Sequence, residues 1–118
     1  AMGVHRLPRQ IPLKAAMGYM LTGRHIPAKR AYELGLVSEV VSREQLDETV
    51  QSYIDDILRC APLSVRSTKE TALGGLSTDL SEVSKLVFAE ETRRRQSPDA
   101  IEGPRAFAEK RSPNWVGK

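Results

Sequence analysis

Residues 42–62 read SREQLDETVQSYIDDILRCAP and predict a long amphipathic helix. Apolar side chains recur there at spacings of three and four, which places them on one helical face: Leu46, Val50, Ile54, Ile57 and Leu58. Ser42 and Gln45 match the two polar positions of a capping box, and Pro62 ends the pattern. The stretch is typical of a helix that buries one face against a neighbour.

Two shorter helices are predicted upstream of this one. Residues 12–22 carry an apolar stripe that we expect to be buried, and Gly23 supplies a left-handed end: Leu13, Ala16, Met17, Met20 and Leu21. Gly18, inside this helix, either permits a close backbone contact or is simply tolerated, and we favour the contact. Pro27 and Gly35 bound a second, two-turn helix. Residues 36–41 are rich in β-branched side chains and predict a short strand or an extended connector.

Three more helices are predicted downstream. One opens at Pro62 and is weakened at its end by the Gly74–Gly75 pair. Another runs from Asp79 to about Arg95, and a last one begins at Ser97 and Pro98, with Ser97 as the cap. Pro104 should kink or restart that last helix. The pattern therefore predicts a mainly α chain of about six helices in one region, residues 1–118.

Composition limits the kind of protein. A chain of 118 residues with 40% hydrophobic and 5% aromatic residues suits one compact region that leaves apolar surface for a partner. No apolar run approaches the roughly 20 residues of a membrane span, and no secretory signal is visible. We therefore expect a cytoplasmic protein with no membrane partner. The net charge of +3 is too small to indicate nucleic acid.

Catalytic and metal-binding patterns are not visible in the sequence. His5 and His25 lie far apart, and Cys60 is the single cysteine, so no zinc ligand set or disulfide is predicted. Adjacent carboxylates, as at Asp55 and Asp56, point about 100° apart on a helix and do not form an acid/base pair. The run of arginines at 93–95 either binds an anion or complements a helix dipole. Trp115 either contacts a neighbouring surface or covers its own helix.

Several sequence blocks together resemble the crotonase family. They are HRLPR at 5–9, MLTGR at 20–24, AYELGLV at 31–37, DAIEG at 99–103 and AFAEKR at 106–111. Their order and spacing are similar to the C-terminal part of enoyl-CoA hydratases, and residues 97–118 are most similar to carnitinyl-CoA dehydratase-like members. The resemblance implies the helical C-terminal segment of a ClpP/crotonase-like fold, whose full-length parent is α/β.

The same resemblance implies a function. Enoyl-CoA hydratases are lyases of fatty acid metabolism that add water reversibly to a 2-enoyl-CoA thioester, with acyl-CoA as substrate and no cofactor. Their oxyanion hole and catalytic glutamates would precede Ala1, so we expect no catalytic residue here and no activity from this segment alone. The expected partners are the N-terminal core of the parent enzyme and further copies in a trimer or hexamer.

The resemblance also implies two ligand contacts. The family's final helix contributes a phenylalanine and a lysine to the CoA nucleotide, often across a subunit boundary, and these match Phe107 and Lys110. A spacing of three on a helix would place both side chains on one face. An aromatic ring can stack against adenine and an ammonium can contact a phosphate, so the two side chains match the two parts of the CoA nucleotide.

Two alternatives come from other classes of protein. A small helical DNA-binding regulator is suggested by the helix ending at Gly35, although a helix-turn-helix needs a shorter connection than the one before Ser42. An oligomerisation module without a ligand is the other. Retention on duplex DNA, CoA binding and oligomer formation distinguish the three.

Overall fold

The computed structural model describes residues 2–118, which form eight α-helices and no β-strand within that range. The helices are α1 Gly3–Gln10, α2 Leu13–Thr22, α3 Ala28–Glu33, α4 Leu46–Arg59, α5 Pro62–Gly75, α6 Leu80–Val83, α7 Ala89–Gln96 and α8 Asp99–Ala108. The mainly α prediction is confirmed. The chain forms two compact units, one ending at Thr49 and one comprising Val50–Lys118. None of the described helices is both long and apolar enough to cross a bilayer.

In the first unit, α1 packs against α2. The sequence patterns did not predict α1, which contains Pro8. The predicted ends of α2 and α3 are confirmed, because Gly23 and Gly35 adopt left-handed φ values of 66° and 74°. The close contact predicted at Gly18 is wrong, since a Cβ there would meet nothing within 4 Å among the described residues.

Of the two structures predicted for residues 36–41, a short strand or a connector, the chain forms a connector between α3 and α4. Residues 36–41 belong to no β-ladder within the described part of the chain. The predicted capping box is wrong, because α4 begins only at Leu46 and the Ser42 carbonyl accepts a hydrogen bond from the Gln45 amide in a turn. Residues 34–45 thus separate the two helices, which is too long a connection for a helix-turn-helix.

In the second unit, α5 packs along α7, and two glycines at the end of α5 make room for side chains at the start of α7 and on α6. A Cβ on Gly74 would lie 2.7 Å from the Phe88 ring, and one on Gly75 would lie 2.8 Å from Val83. The glycines therefore serve side-chain packing in the last turn of α5, which ends at Gly75. The predicted single helix from Asp79 to Arg95 is wrong, because Phe88 is extended, with φ of −108° and ψ of 130°, and separates α6 from α7.

The last helix begins close to its predicted position but is capped differently. Ser97 Oγ donates backwards to the Arg94 carbonyl at 2.7 Å, so the predicted forward cap by Ser97 is wrong. The helix α8 also continues through Pro104 without restarting. Beyond it, residues 113–118 are not helical, as Pro113 predicts.

Few large side chains are buried in either unit. The buried apolar residues are mostly small: Ile11, Ala16, Ala31, Ala61, Leu63 and Ala106. Of the stripe predicted to be buried on α2, Leu13 is 63% and Leu21 77% exposed. The apolar face of α4 exists as predicted but lies open, with every one of its five residues more than two-fifths exposed.

Candidate functional site

The C-terminal end of α8 closes with a specific turn. The Arg111 amide donates to the Ala106 carbonyl at 3.1 Å, and the Lys110 amide donates to the Phe107 carbonyl at 3.2 Å. These two bonds form a Schellman motif, and Lys110 occupies its left-handed position with φ of 52°. Glycine is the usual residue there, because a Cβ is strained in that conformation.

The two residues predicted to contact CoA lie at this turn. Phe107 is in the last turn of α8 and is 87% exposed, and Lys110 is exposed as well. The expectation that both stand on one helical face is wrong, because Lys110 lies beyond the helix end in the left-handed turn. The Lys110 ammonium has no hydrogen bond or ion pair with any described residue.

An ion-pair network surrounds the turn. The Arg111 guanidinium donates to both Glu102 oxygens, at 2.6 and 3.0 Å, and to Glu109 at 2.6 Å. Arg105 donates to the other Glu109 oxygen at 2.9 Å. The bidentate contact with Arg111, followed by a hydrogen bond from the Asn114 amide, lowers the pKa of Glu102 to about 2. Hydrogen bonds to Glu102 first and then to Glu109 raise the pKa of Arg111 above its usual range.

The segment after the turn is fixed against α8. The Asn114 amide donates to Glu102 at 2.8 Å, while the Val116 and Gly117 amides donate to Asp99 at 2.8 and 2.9 Å. Asp99 is only 5% exposed, so these amides satisfy a buried carboxylate. Residues 112–118, which we call the C-terminal strap, thus lie along the helix that carries Phe107.

Trp115 completes this arrangement. Its Nε1 donates to the Arg59 carbonyl at 2.8 Å, and its ring lies 3.3 Å from the position of a Cβ on Gly103. Trp115 therefore both covers α8 and anchors the strap against the end of α4, so the two interpretations hold together. A Cβ on Gly103 would make the indole give way by a few tenths of an ångström, so glycine lets Trp115 lie close against α8.

A second cluster lies between α5 and α7 beside a surface pocket of about 570 Å³. Glu91 accepts hydrogen bonds from Ser67 at 2.5 Å and from Arg94 and Arg95 at 2.8 and 2.7 Å. Arg94 first, then Ser67 and Arg95, hold the pKa of Glu91 well below its usual range. Two of the three consecutive arginines are therefore paired within their own helix, which favours the structural interpretation of that run.

The remaining candidate residues do not assemble into a reaction centre. Asp55 accepts from Gln51 and Asp56 pairs with Arg59, so the adjacent carboxylates have different partners. His25 lines a pocket of about 480 Å³ in the first unit, together with Tyr19 and Arg24. No group of three or more His, Cys, Asp or Glu side chains within residues 2–118 could hold a metal ion.

Comparison with known proteins agrees with the sequence blocks. The profile of the enoyl-CoA hydratase/isomerase family matches residues 1–118. The chain belongs to the enoyl-CoA hydratase/isomerase family. It is 38% identical to the carnitinyl-CoA dehydratase of Proteus mirabilis over 120 residues, and 39% identical to the (E)-benzylidenesuccinyl-CoA hydratase of Thauera aromatica over 118 residues. These alignments cover 98% of this chain but 46% and 45% of those proteins.

Solved structures of the enoyl-CoA hydratase/isomerase family share the fold. The crystal structure of an enoyl-CoA hydratase/isomerase from Mycobacterium paratuberculosis superposes with a TM-score of 0.89 at 41% identity, over 98% of this chain and 46% of that one. The chain thus spans less than half the length of its relatives, and it corresponds to the C-terminal segment of the crotonase fold.

Sequence reasoning missed the residues that hold the site together. Glu102 and Arg111 both lie within the family blocks, but nothing in their spacing predicted a bidentate pair, because Arg111 follows the helix. The carboxylates at 102 and 109 and the arginines at 105 and 111 were the visible signal, as alternating charges around one helix end.

Proposed function

We propose that this chain is the C-terminal part of an enzyme that adds water reversibly to a 2-enoyl-CoA thioester, and that it contacts the CoA nucleotide. The observation that carries the proposal is that Phe107 and Lys110 are both exposed at the end of α8, and that the Lys110 ammonium has no partner within residues 2–118. The names of two relatives, a carnitinyl-CoA dehydratase and an (E)-benzylidenesuccinyl-CoA hydratase, describe hydration or dehydration of CoA thioesters.

The two side chains suit the two halves of a nucleotide. A phenylalanine ring that is 87% exposed is costly to leave in water and offers an apolar face to adenine. The Lys110 ammonium is a compact charge with no competing partner among residues 2–118, which favours a phosphate contact. Acyl-CoA is thus the substrate, and this segment requires no cofactor for its role.

The open apolar faces support assembly with further protein. On α4, Leu46, Ile57 and Leu58 are 51%, 52% and 73% exposed, although their spacing is that of a buried helical face. We assign such faces to the N-terminal core of the enzyme and to neighbouring subunits in a trimer or hexamer. Sedimentation of the full-length enzyme tests that assignment, and a monomer at micromolar concentration would contradict it.

The nucleotide contacts are tested by Lys110→Ala in the full-length enzyme, with crotonyl-CoA as substrate. Loss of one charge-assisted hydrogen bond predicts a KM increase of about tenfold. Because an exposed charge is screened by salt, the increase should shrink at high ionic strength. Lys85→Ala is the matched control, since Lys85 is an exposed lysine paired with Glu82 in the same unit. An unchanged KM for Lys110→Ala would refute the contact.

The role of the segment is tested separately with the 118-residue chain. It should not hydrate crotonyl-CoA, because the described residues include no oxyanion hole or acid/base pair that could act on the thioester. Measurable turnover by the purified chain, above that of a sample inactivated by heat, would refute this expectation.

The alternative of an oligomerisation module without a ligand is tested on the full-length enzyme. If that enzyme forms oligomers but does not bind CoA, the module that only assembles is favoured.

A further inference from the structure

We propose that Arg111 is a positioning residue for Lys110, and that its pairs with Glu102 and Glu109 hold the ammonium ready for the phosphates of the CoA nucleotide. The inference rests on the proposed function, because it assumes that Lys110 meets an anionic ligand. It adds a role for a residue that does not itself touch the substrate.

The first support is the backbone of Lys110. It is the one non-glycine residue with positive φ within residues 2–118, at 52°. A left-handed conformation is unfavourable for a side chain with a Cβ, so it persists only where the surroundings fix it. A lysine at a position that suits glycine indicates that the ammonium is needed at this place.

The second support is what fixes the turn. The Arg111 amide donates to the Ala106 carbonyl, which is the wider of the two hydrogen bonds of the Schellman motif. The Arg111 guanidinium donates to Glu102 on α8. The same guanidinium holds Glu109, the residue on the other side of Lys110. The residues before and after Lys110 are therefore tied to each other and to α8, which leaves the lysine backbone little freedom.

The third support is the distribution of charge. Both Glu102 oxygens accept from Arg111, one of them also from the Asn114 amide, while the two Glu109 oxygens accept from Arg105 and Arg111. Each of these four oxygens thus already accepts from an arginine, and neither carboxylate pairs with the Lys110 ammonium. The positive charge of Arg111 thereby weakens the attraction of Glu109, the neighbour in sequence, for the Lys110 ammonium.

Two features of the chemistry make the inference testable. Only the nucleotide half of the substrate carries phosphates, so a positioning role must disappear with a thioester of pantetheine that lacks the nucleotide. A guanidinium forms two parallel hydrogen bonds to a carboxylate, whereas an ammonium cannot, so Arg111→Lys keeps the charge but not the pair.

The experiment measures KM and kcat of the full-length enzyme for crotonyl-CoA and crotonyl-pantetheine. Arg111→Gln should raise the KM for crotonyl-CoA about fivefold with kcat unchanged, as expected for the loss of a restraint on one charged contact. Arg111→Lys should fall between this variant and the original. Neither should change the KM for crotonyl-pantetheine. In a Lys110→Ala background, Arg111→Gln should cause no further increase.

The control is Glu82→Gln, which breaks an exposed ion pair with Lys85 elsewhere in the same unit and should leave both KM values unchanged. Equal increases for the two thioesters would show a merely structural role and overturn the inference. Additive effects of Arg111→Gln and Lys110→Ala would overturn it as well, while leaving the proposed nucleotide contact intact. If Lys110→Ala alone changes nothing, the proposed function fails first. Glu102→Gln repeats the test should Arg111→Gln not fold.

Discussion

Lys110→Gly should make the protein more stable and at the same time weaken its binding of CoA thioesters. Lys110 adopts φ of 52° at the left-handed position of the Schellman turn, where glycine has no steric penalty. A Cβ in that conformation costs about 1–2 kcal/mol. Glycine gives back about 0.5–1 kcal/mol through the greater freedom of the unfolded chain. The expected net gain is about 0.5–1 kcal/mol.

The measurement is urea unfolding followed by far-ultraviolet circular dichroism, with Lys110→Ala as the matched variant. Both substitutions remove the ammonium, but only glycine removes the Cβ. In thermal unfolding of the 118-residue chain, followed by the same signal, the expected gain corresponds to a rise of about 2–5 °C in the melting temperature. Lys110→Ala should show no such rise.

Binding should move in the opposite direction. Both variants lose the same phosphate contact, so both should raise the KM for crotonyl-CoA by about tenfold in the full-length enzyme. A variant that is more stable but binds less well would show that Lys110 keeps its strained backbone because binding requires the lysine side chain. If Lys110→Gly is no more stable than Lys110→Ala, the positive φ stores no strain and the reasoning is refuted.

Further predictions concern the second unit. Leu63→Ala should lower the unfolding free energy by about 2–5 kcal/mol in chemical denaturation, because Leu63 is fully buried; a smaller loss would mean that the core collapses around the gap. Asp99→Ala should cost about 1–3 kcal/mol and speed hydrogen exchange of the Gly117 amide, which loses its acceptor. Unchanged exchange would show that the carboxylate does not hold the strap. Trp115→Phe removes the indole bond to a backbone carbonyl, so a loss of about 1 kcal/mol is expected in the same assay. The pKa of Glu102 is about 2 when folded, below its ordinary value of 4.5, so its stabilisation is complete above pH 4.5 and is lost as the pH falls towards 2. The stability difference between the original protein and Glu102→Gln should therefore vanish over that range, and a constant difference would contradict the pairing.

Local signals predicted the parts of the fold that depend on local chemistry. Gly23 and Gly35 end their helices with positive φ, and Pro62 opens α5, because each residue type determines its own backbone geometry. The break between α6 and α7 was not predictable in this way. It arises where the Phe88 ring lies against Gly74, a contact between residues distant in sequence.

Burial was the property that sequence patterns predicted least well. The stripe on α2 and the face on α4 have the spacing of buried helical surfaces, yet Leu13 and Leu58 are 63% and 73% exposed. Periodicity reports that a face is apolar and does not say what covers it. A chain that spans less than half of its relatives can carry such faces without burying them itself.

The candidate site was predictable only through the family blocks. Helical spacing alone would have assigned Phe107 to a core and Lys110 to a solvated surface. The turn that carries Lys110 could not be predicted, because its left-handed backbone suits glycine and the residue there is lysine. The pair between Glu102 and Arg111 depends on that same turn, which reverses the chain so that Arg111 faces α8.

The C-terminal strap has a practical consequence for the choice of where a shortened version of this protein should stop. The Val116 and Gly117 amides donate to the buried carboxylate of Asp99, so a chain cut before Val116 would leave that carboxylate without both donors near the start of α8. A boundary placed after Lys118 keeps both amides. Residues 112–118 therefore belong with α8 in any shortened version of the protein, although they form no helix themselves.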